Sequence, residues 1–166
     1  MRGTATTRRS LLVGIGAAPV AVASAAAAAP RSDVEILEQL LRLERRLEGT
    51  YEAALERSIL GEGLAGSLRD QERQHADGLE RTLSARGRRP GPGPAADPRL
   101  AAALRERRTF IHYALGLEAR AVRAYVGAEA SLRDIRLRQP LGAILTTEAQ
   151  HEVALRAALG EPLLGV

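Results

Sequence analysis

Two Glu-x-x-His motifs are the part of this sequence whose residue types and spacing could do chemistry. Glu72 lies three residues before His75, and Glu148 lies three residues before His151. Side chains three residues apart on an α-helix project to the same side, so each motif can offer a carboxylate and an imidazole to one metal ion. The chain contains no cysteine, and oxygen and imidazole donors without sulfur suit iron or manganese, with zinc less favoured.

A glutamate and a tyrosine precede each motif at matching intervals. The glutamate lies 28 residues before Glu72 in one half of the chain and 30 residues before Glu148 in the other, and a tyrosine follows it by seven residues in both halves. The first half contains Glu44, Tyr51, Glu72 and His75, and the second half contains Glu118, Tyr125, Glu148 and His151. This repeat predicts a site with approximate two-fold symmetry.

All four of these glutamates fall on the apolar stripe of a predicted helix. Glu44, for example, follows Leu40 by four residues and precedes Leu47 by three, which places it on the buried face. Isolated buried carboxylates are costly, so four of them require cations as partners. Two histidines cannot neutralise four carboxylates, whereas two divalent metal ions can, and this donor set suits a di-iron or di-manganese centre. The candidate metal ligands are Glu44, Glu72, His75, Glu118, Glu148 and His151.

Helical periodicity without strand-like alternation predicts the elements that must position these residues. Ser32 and Glu35 have the pattern of a capping box, and Asp97 followed by Pro98 is typical of a helix start. Helix 1 is predicted from Ser32 to about Arg57, helix 2 from about Leu64 to Ala85, helix 3 from Asp97 to about Leu132, and helix 4 from Pro140 to Gly160. The fold class is therefore an all-α four-helix bundle.

The connection between helices 2 and 3 is rich in proline and glycine, which predicts an extended linker. In a polyproline-like conformation, the dozen residues from Gly87 to Pro98 could cover about 35 Å, similar to the length of a 20-residue helix. The linker can therefore cross the whole bundle and restart helix 3 at the far end. A simple up-and-down order of the helices is the alternative.

Residues 1–29 are predicted to be a signal peptide that is removed, leaving the helical domain at 32–160. Arg8 and Arg9 precede an apolar run over 11–22 and an alanine tract suited to cleavage. The paired arginines followed by Ser-Leu-Leu resemble a twin-arginine export signal, which implies export by that machinery to an extracellular, cell-envelope or periplasmic location. An uncleaved membrane anchor is the alternative, which the short apolar stretch disfavours.

The positive net charge of the chain is mostly a property of this leader. The whole chain has a net charge of +4 and 24 arginines, of which three lie in residues 1–29. The remaining 21 arginines face 20 acidic residues, so the domain has a net charge of about +1. Nucleic acid is therefore not an expected partner.

The six candidate ligands resemble those of the ferritin-like superfamily, and the resemblance covers residues 33–159. It implies a ferritin-like four-helix bundle with a long crossover between helices 2 and 3, and a site for two iron ions. By resemblance, Glu72 and Glu148 are carboxylates that bridge the metal ions, and Glu44 and Glu118 are terminal ligands. Within this superfamily, the chain resembles the secreted bacterial ferritin-like domain proteins.

Tyr51 and Tyr125 resemble tyrosines that lie beside such centres and either hydrogen-bond a ligand or supply an electron. The alternative interpretation is a core tyrosine with a satisfied hydroxyl. The third histidine, His112, has no glutamate three residues before it and is expected at the surface or in flanking packing. Glu48 and Glu152 lie near the ligands and could replace one or orient a histidine, but we expect them in surface salt bridges.

The resemblance implies a binuclear iron or manganese centre that reacts with Fe(II) and dioxygen, or with peroxide, outside the cytoplasm. Metal ions, dioxygen or peroxide, and the export machinery are the expected partners, and a homodimer is left open. Such a protein could be a ferroxidase-like or peroxidase-like oxidoreductase. The alternative is a metal-binding or structural bundle without turnover.

Overall fold

The computed structural model describes residues 31–161, so the predicted signal peptide at 1–29 lies outside the described residues. Within the described range the chain is helical and has no strand. The helices are α1 (Asp33–Glu56), α2 (Glu62–Ser84), α3 (Pro98–Ala103), α4 (Arg107–Ser131) and α5 (Arg138–Leu159), with a short 3₁₀ turn at Ile135–Leu137. None of the helices in this range is long and apolar enough to cross a membrane.

Local sequence signals set the outer ends of the bundle. The Ser32 hydroxyl accepts a hydrogen bond from the Glu35 backbone N–H at 3.3 Å, and the Glu35 carboxylate accepts one from the Ser32 backbone N–H at 2.7 Å. This reciprocal pair is the predicted capping box, and it satisfies donors that the first turn of α1 leaves free. At the other end α5 stops at Gly160, whose φ of 74° favours glycine.

The prediction of one continuous third helix was wrong, because the structure divides this segment into α3 and α4. Glu106 has an extended backbone, and its carboxylate accepts hydrogen bonds at 2.7 Å from the backbone N–H groups of Arg108 and Thr109. This side chain therefore caps a new helix, and the chain turns between Ala103 and Arg107. The last helix also begins earlier than predicted, at Arg138, because Pro140 sits in the first turn, where its missing N–H has no intrahelical acceptor.

The linker between α2 and α3 runs alongside α1 and in the same direction. Arg88 pairs with Glu38 near the start of α1. Further along, Arg45 donates a hydrogen bond to the Gly91 carbonyl oxygen at 2.6 Å. The Asp97 carboxylate then lies 3.9 Å from Arg46. The predicted crossover is therefore confirmed, and the up-and-down order is excluded.

Two apolar clusters at opposite ends of the bundle fix the helix directions. The first cluster combines the C-terminal half of α1 with the starts of α2 and α4 and the end of α5, and includes Tyr51, Ala54, Leu68, Phe110, Ile111 and Leu155. The second combines the start of α1 with the ends of α2 and α4 and the start of α5, and includes Leu37, Leu40, Leu79, Leu83, Tyr125 and Leu141. Helices α1 and α5 therefore run in one direction, and α2 and α4 run in the other.

Candidate metal centre

Four buried glutamates form a polar layer between the two apolar clusters. Glu44, Glu72, Glu118 and Glu148 lie near the midpoints of α1, α2, α4 and α5, and each is 0% exposed. They lie at one height because the two hairpins place the centres of all four long helices side by side. The two histidines of the Glu-x-x-His motifs lie one turn further along α2 and α5 and face the same layer.

The six side chains form two groups of four donors, with one potential ligand atom from each residue. In each group these atoms lie within 4.8 Å of one another. The first donor set consists of Glu44, Glu72, His75 and Glu148, and the second donor set consists of Glu72, Glu118, Glu148 and His151. Glu72 and Glu148 belong to both sets. All six residues predicted from the sequence are therefore brought together, and the two motif glutamates occupy the shared position between the sets.

Each histidine reaches across to a glutamate on the opposite hairpin. His75 Nδ1 on α2 lies 3.0 Å from a Glu148 carboxylate oxygen on α5. His151 Nδ1 on α5 lies 2.9 Å from a Glu72 carboxylate oxygen on α2. The two imidazole rings stack with their centroids 6.2 Å apart. The Nδ1 atoms of both histidines therefore face the carboxylate layer.

These donor atoms lack the hydrogen bonds that buried polar atoms normally make. Nine buried side-chain nitrogen and oxygen atoms within residues 31–161 have no hydrogen-bond partner, and eight of them belong to the six residues of the donor sets. The exception is Glu129 Oε1. Side-chain oxygen and nitrogen atoms that converge without hydrogen-bond partners are suited to a cation, because a cation satisfies several carboxylates at once. The donor chemistry therefore fits a metal ion.

The crossover bundle and its mid-height layer of carboxylates and histidines have the features that the sequence resemblance implied. A family model for the ferritin-like domain matches residues 32–161. The chain belongs to the ferritin-like domain family. No curated protein matches the sequence significantly. The match contains every helix and every donor residue described above, so the ferritin-like resemblance predicted from the motifs is confirmed.

Burial and the repulsion of neighbouring carboxylates favour the protonated forms of Glu72 and Glu148 in this ferritin-like domain. Burial raises the pKa of Glu148 to about 9 and that of Glu72 to about 7, and the other buried glutamates add to the effect. Burial alone would lower the pKa of the histidines, but adjacent carboxylates raise it to about 11 for His75 and about 10 for His151. The metal-free centre therefore holds protons where a metal ion would supply positive charge.

The two tyrosines connect the halves of the ferritin-like bundle crosswise. The Tyr51 hydroxyl on α1 donates a hydrogen bond to Glu118 on α4. The Tyr125 hydroxyl on α4 donates one at 2.6 Å to Glu44 on α1. Burial, together with these carboxylates, raises the pKa of both tyrosines well above its ordinary value. Both hydroxyls therefore stay protonated and act as donors to the glutamates that are found in only one donor set.

Sequence reasoning missed one residue at the centre. Gln71 Oε1 lies 2.7 Å from His151 Nε2, on the side of the ring that faces away from the carboxylates. The only available signal was its position beside Glu72, which does not reveal a partner on another helix.

The remaining residues discussed above lie outside the donor sets. Glu48 pairs with Arg73 at 2.9 Å, and Glu152 lies 3.7 Å from Arg156. His112 is exposed on α4. These three side chains are therefore surface groups, as expected.

Proposed function

We propose that this ferritin-like domain binds a binuclear iron centre, with manganese as the alternative metal, and uses it to react with dioxygen or peroxide outside the cytoplasm. The observation that carries the proposal is the pair of donor sets that share Glu72 and Glu148. Two sets of four donors with two common carboxylates match the needs of two adjacent divalent cations. The absence of sulfur among the donors favours iron or manganese.

The charge of the layer supports two cations and not one. Four carboxylates carry four negative charges when ionised, and two divalent ions neutralise them while both imidazoles stay neutral. A single divalent ion would balance two of these charges, and protons retained by the layer would have to balance the other two.

The protein side chains would control what reaches the metal ions and how protons are held. The six donor residues would hold two Fe(II) ions, which would supply the two electrons needed, together with two protons, to reduce dioxygen to hydrogen peroxide or hydrogen peroxide to two waters. Tyr51 and Tyr125 hold hydroxyl protons against Glu118 and Glu44 and orient these carboxylates. The apolar clusters above and below the layer restrict water at the centre.

The test is oxygen consumption by the iron-loaded protein. Purified metal-free protein is mixed with Fe(II) without air and then exposed to oxygen or to hydrogen peroxide. We expect two iron ions per chain, near-ultraviolet absorption of ferric iron, and oxidant consumption matched to the iron oxidised. Binding of metal without oxidant consumption would support the non-catalytic alternative, and no binding of iron or manganese would support a structural bundle.

A matched pair of variants links the reaction to the centre. Glu72→Gln removes a carboxylate charge that both donor sets share, so we expect loss of binuclear binding and of oxidant consumption. Glu48→Gln removes a glutamate that pairs with Arg73 on the surface, so we expect both properties to be unchanged. Equal effects of the two variants would contradict the assignment of the centre.

The location is a second part of the proposal and rests on the sequence of the leader. Fusion of residues 1–29 to a reporter that must fold before export should deliver the reporter outside the cytoplasm. Arg8→Lys with Arg9→Lys in the same fusion should retain it inside. Export that is indifferent to these arginines would contradict a twin-arginine route.

A further inference from the structure

The two histidines of the centre have unequal surroundings. His151 is 3% exposed, and its Nε2 lies 2.7 Å from Gln71 Oε1. The His75 side chain is 12% exposed, and no residue in the range 31–161 makes an equivalent hydrogen bond to its ring. The donor residues are therefore symmetric, but only one of the two histidines has a hydrogen-bond partner on the outer side of its ring.

The internal repeat identifies the residue that breaks the symmetry. Gln71 immediately precedes Glu72, and the corresponding position before Glu148 is occupied by Thr147. The Thr147 hydroxyl donates a hydrogen bond to the Ala143 carbonyl oxygen of its own helix at 3.3 Å. A threonine is also shorter than a glutamine by two heavy atoms along the chain, so it cannot reach across to the opposite helix.

The contact with Gln71 determines how His151 presents its other nitrogen. When Nε2–H donates to a fixed acceptor, the ring is held in one orientation, and the lone pair of Nδ1 is directed at the donor set. The Gln71 amide nitrogen donates to the Ser67 hydroxyl at 3.4 Å, which turns its carbonyl oxygen toward His151. His75 has no such support and must lose more rotational freedom when it binds a metal ion.

We propose that Gln71 is a positioning residue for His151, and that it makes the second donor set bind a divalent metal ion more tightly than the first. This inference rests on the metal-binding part of the proposed function. It adds that the two positions fill in order, with the His151 position first and the more exposed His75 position second.

In the experiment, metal-free protein is titrated with Co(II) in the absence of oxygen. Calorimetry and visible absorption monitor the binding. For the wild type we expect two binding steps whose dissociation constants differ by about tenfold or more. His75→Ala should leave the tighter step, and His151→Ala should remove it. If His151→Ala leaves the tighter step instead, the proposed order is overturned.

Variants at Gln71 test the positioning role directly. Gln71→Leu removes the acceptor at similar size, and we expect the tighter step to weaken by about 10-fold to 100-fold while the weaker step is unchanged. Gln71→Glu keeps an oxygen acceptor at the same distance and should restore the tighter step. Failure of Gln71→Glu to bind more tightly than Gln71→Leu would overturn the positioning role, because packing alone would not distinguish them.

Thr147→Val is the matched control at the corresponding position of the other half. It removes a hydroxyl that bonds only to its own helix, so both binding steps should equal those of the wild type. Two equal steps in the wild type, or an unchanged tighter step in Gln71→Leu, would refute the inference and leave the binuclear centre intact. A wild-type protein that binds no Co(II), iron or manganese would refute the proposed function itself.

Discussion

The middle layer of the bundle and its two ends differ in what their buried residues contribute. The end clusters contain leucine, isoleucine, phenylalanine and alanine that fill space between the helices. The middle layer buries four glutamates and two histidines whose ligand atoms largely lack hydrogen bonds. Burial of apolar area stabilises the ends, whereas burial of carboxylates opposes folding of the middle. The apolar ends therefore stabilise the fold that holds the glutamates and histidines of the middle layer in place.

The largest effect on stability is expected at an end. Phe110 is 0% exposed in the first cluster, so Phe110→Ala leaves a large cavity. We expect the free energy of unfolding of the metal-free protein to fall by about 3–5 kcal/mol, measured by urea denaturation. A loss smaller than about 1 kcal/mol would show that the apolar ends do not dominate stability, in contradiction to the difference drawn between the ends and the middle layer.

The next effect is expected in the middle layer and only when metal is present. Mn(II) at about 10 times its dissociation constant should stabilise the wild type by about 1.4 kcal/mol for each site. Glu148→Gln removes a carboxylate charge common to both donor sets, so most of this stabilisation should be lost. Without metal the same variant should have unchanged or slightly higher stability, because a buried ionisable acid is replaced by a neutral amide.

Two measurements check this prediction. Thermal unfolding with and without Mn(II) gives the stabilisation, and elemental analysis gives the number of ions bound. If the metal-free Glu148→Gln protein is strongly destabilised, this carboxylate contributes to folding. That result would contradict the claim that buried carboxylates of the middle layer oppose folding.

Dependence on pH should distinguish the metal-free from the metal-loaded layer. Groups with a raised pKa in the folded state stabilise it at low pH, and this contribution is lost as the pH rises through that value. For Glu72 and Glu148 the loss extends from about pH 4.5 to about 7 and 9, and for the histidines it extends from about pH 6.5 to about 10 and 11. The metal-free protein should therefore lose stability as the pH rises from about 6 to about 8.

Metal binding should have the opposite dependence, because the ligands must release the protons that they hold. For each proton that binding releases, metal binding becomes more favourable by about 1.4 kcal/mol for every unit by which the pH rises. The stabilisation by Mn(II) should grow between about pH 6 and about pH 8, and a pH indicator should detect proton release on binding. A stabilisation that does not depend on pH would contradict the protonation of the metal-free layer.

The smallest effect is expected at a tyrosine that belongs to both regions. Tyr125 packs in the second cluster with its ring, and its hydroxyl donates to Glu44. Tyr125→Phe keeps the packing and removes the hydrogen bond, so the metal-free protein should lose only about 1 kcal/mol. Two metal ions should still bind, as measured by titration. Loss of both ions would show that the hydroxyl is essential for placing Glu44.

Much of the candidate centre could be predicted from the spacing within each motif and from the repeat of the two halves. Glu72 and His75 share a face through the geometry of one helix, and the matching intervals in the two halves place Glu44 and Glu118 at the same height. The capping box at Ser32 could also be predicted from the sequence, since both partners lie within one turn. Burial of charge then required cations, whatever the details of the fold.

The burial pattern of α4 was less accessible to sequence reasoning. Steps of three and four residues from Glu118 predict that Leu115 and Val122 are buried, but both are only half-buried, whereas Ala114 and Ala121 are fully buried. Helix α4 packs against both α1 and α5, so its buried surface is wider than a single stripe. Alanine adds little to an apolar pattern, but it is well suited to contacts on two sides.

The sequence by itself determined the residue types of the centre, their heights along the helices and the helical class of the fold, because helical periodicity and the matched intervals of the two halves are both present in it. Only the tertiary structure decided which groups meet across helices. Tyr51 donates to Glu118 and Gln71 contacts His151 because the crossover sets the directions and neighbours of the four long helices. Such pairs are separated by 67 and 80 residues, and no local periodicity encodes a contact at that separation.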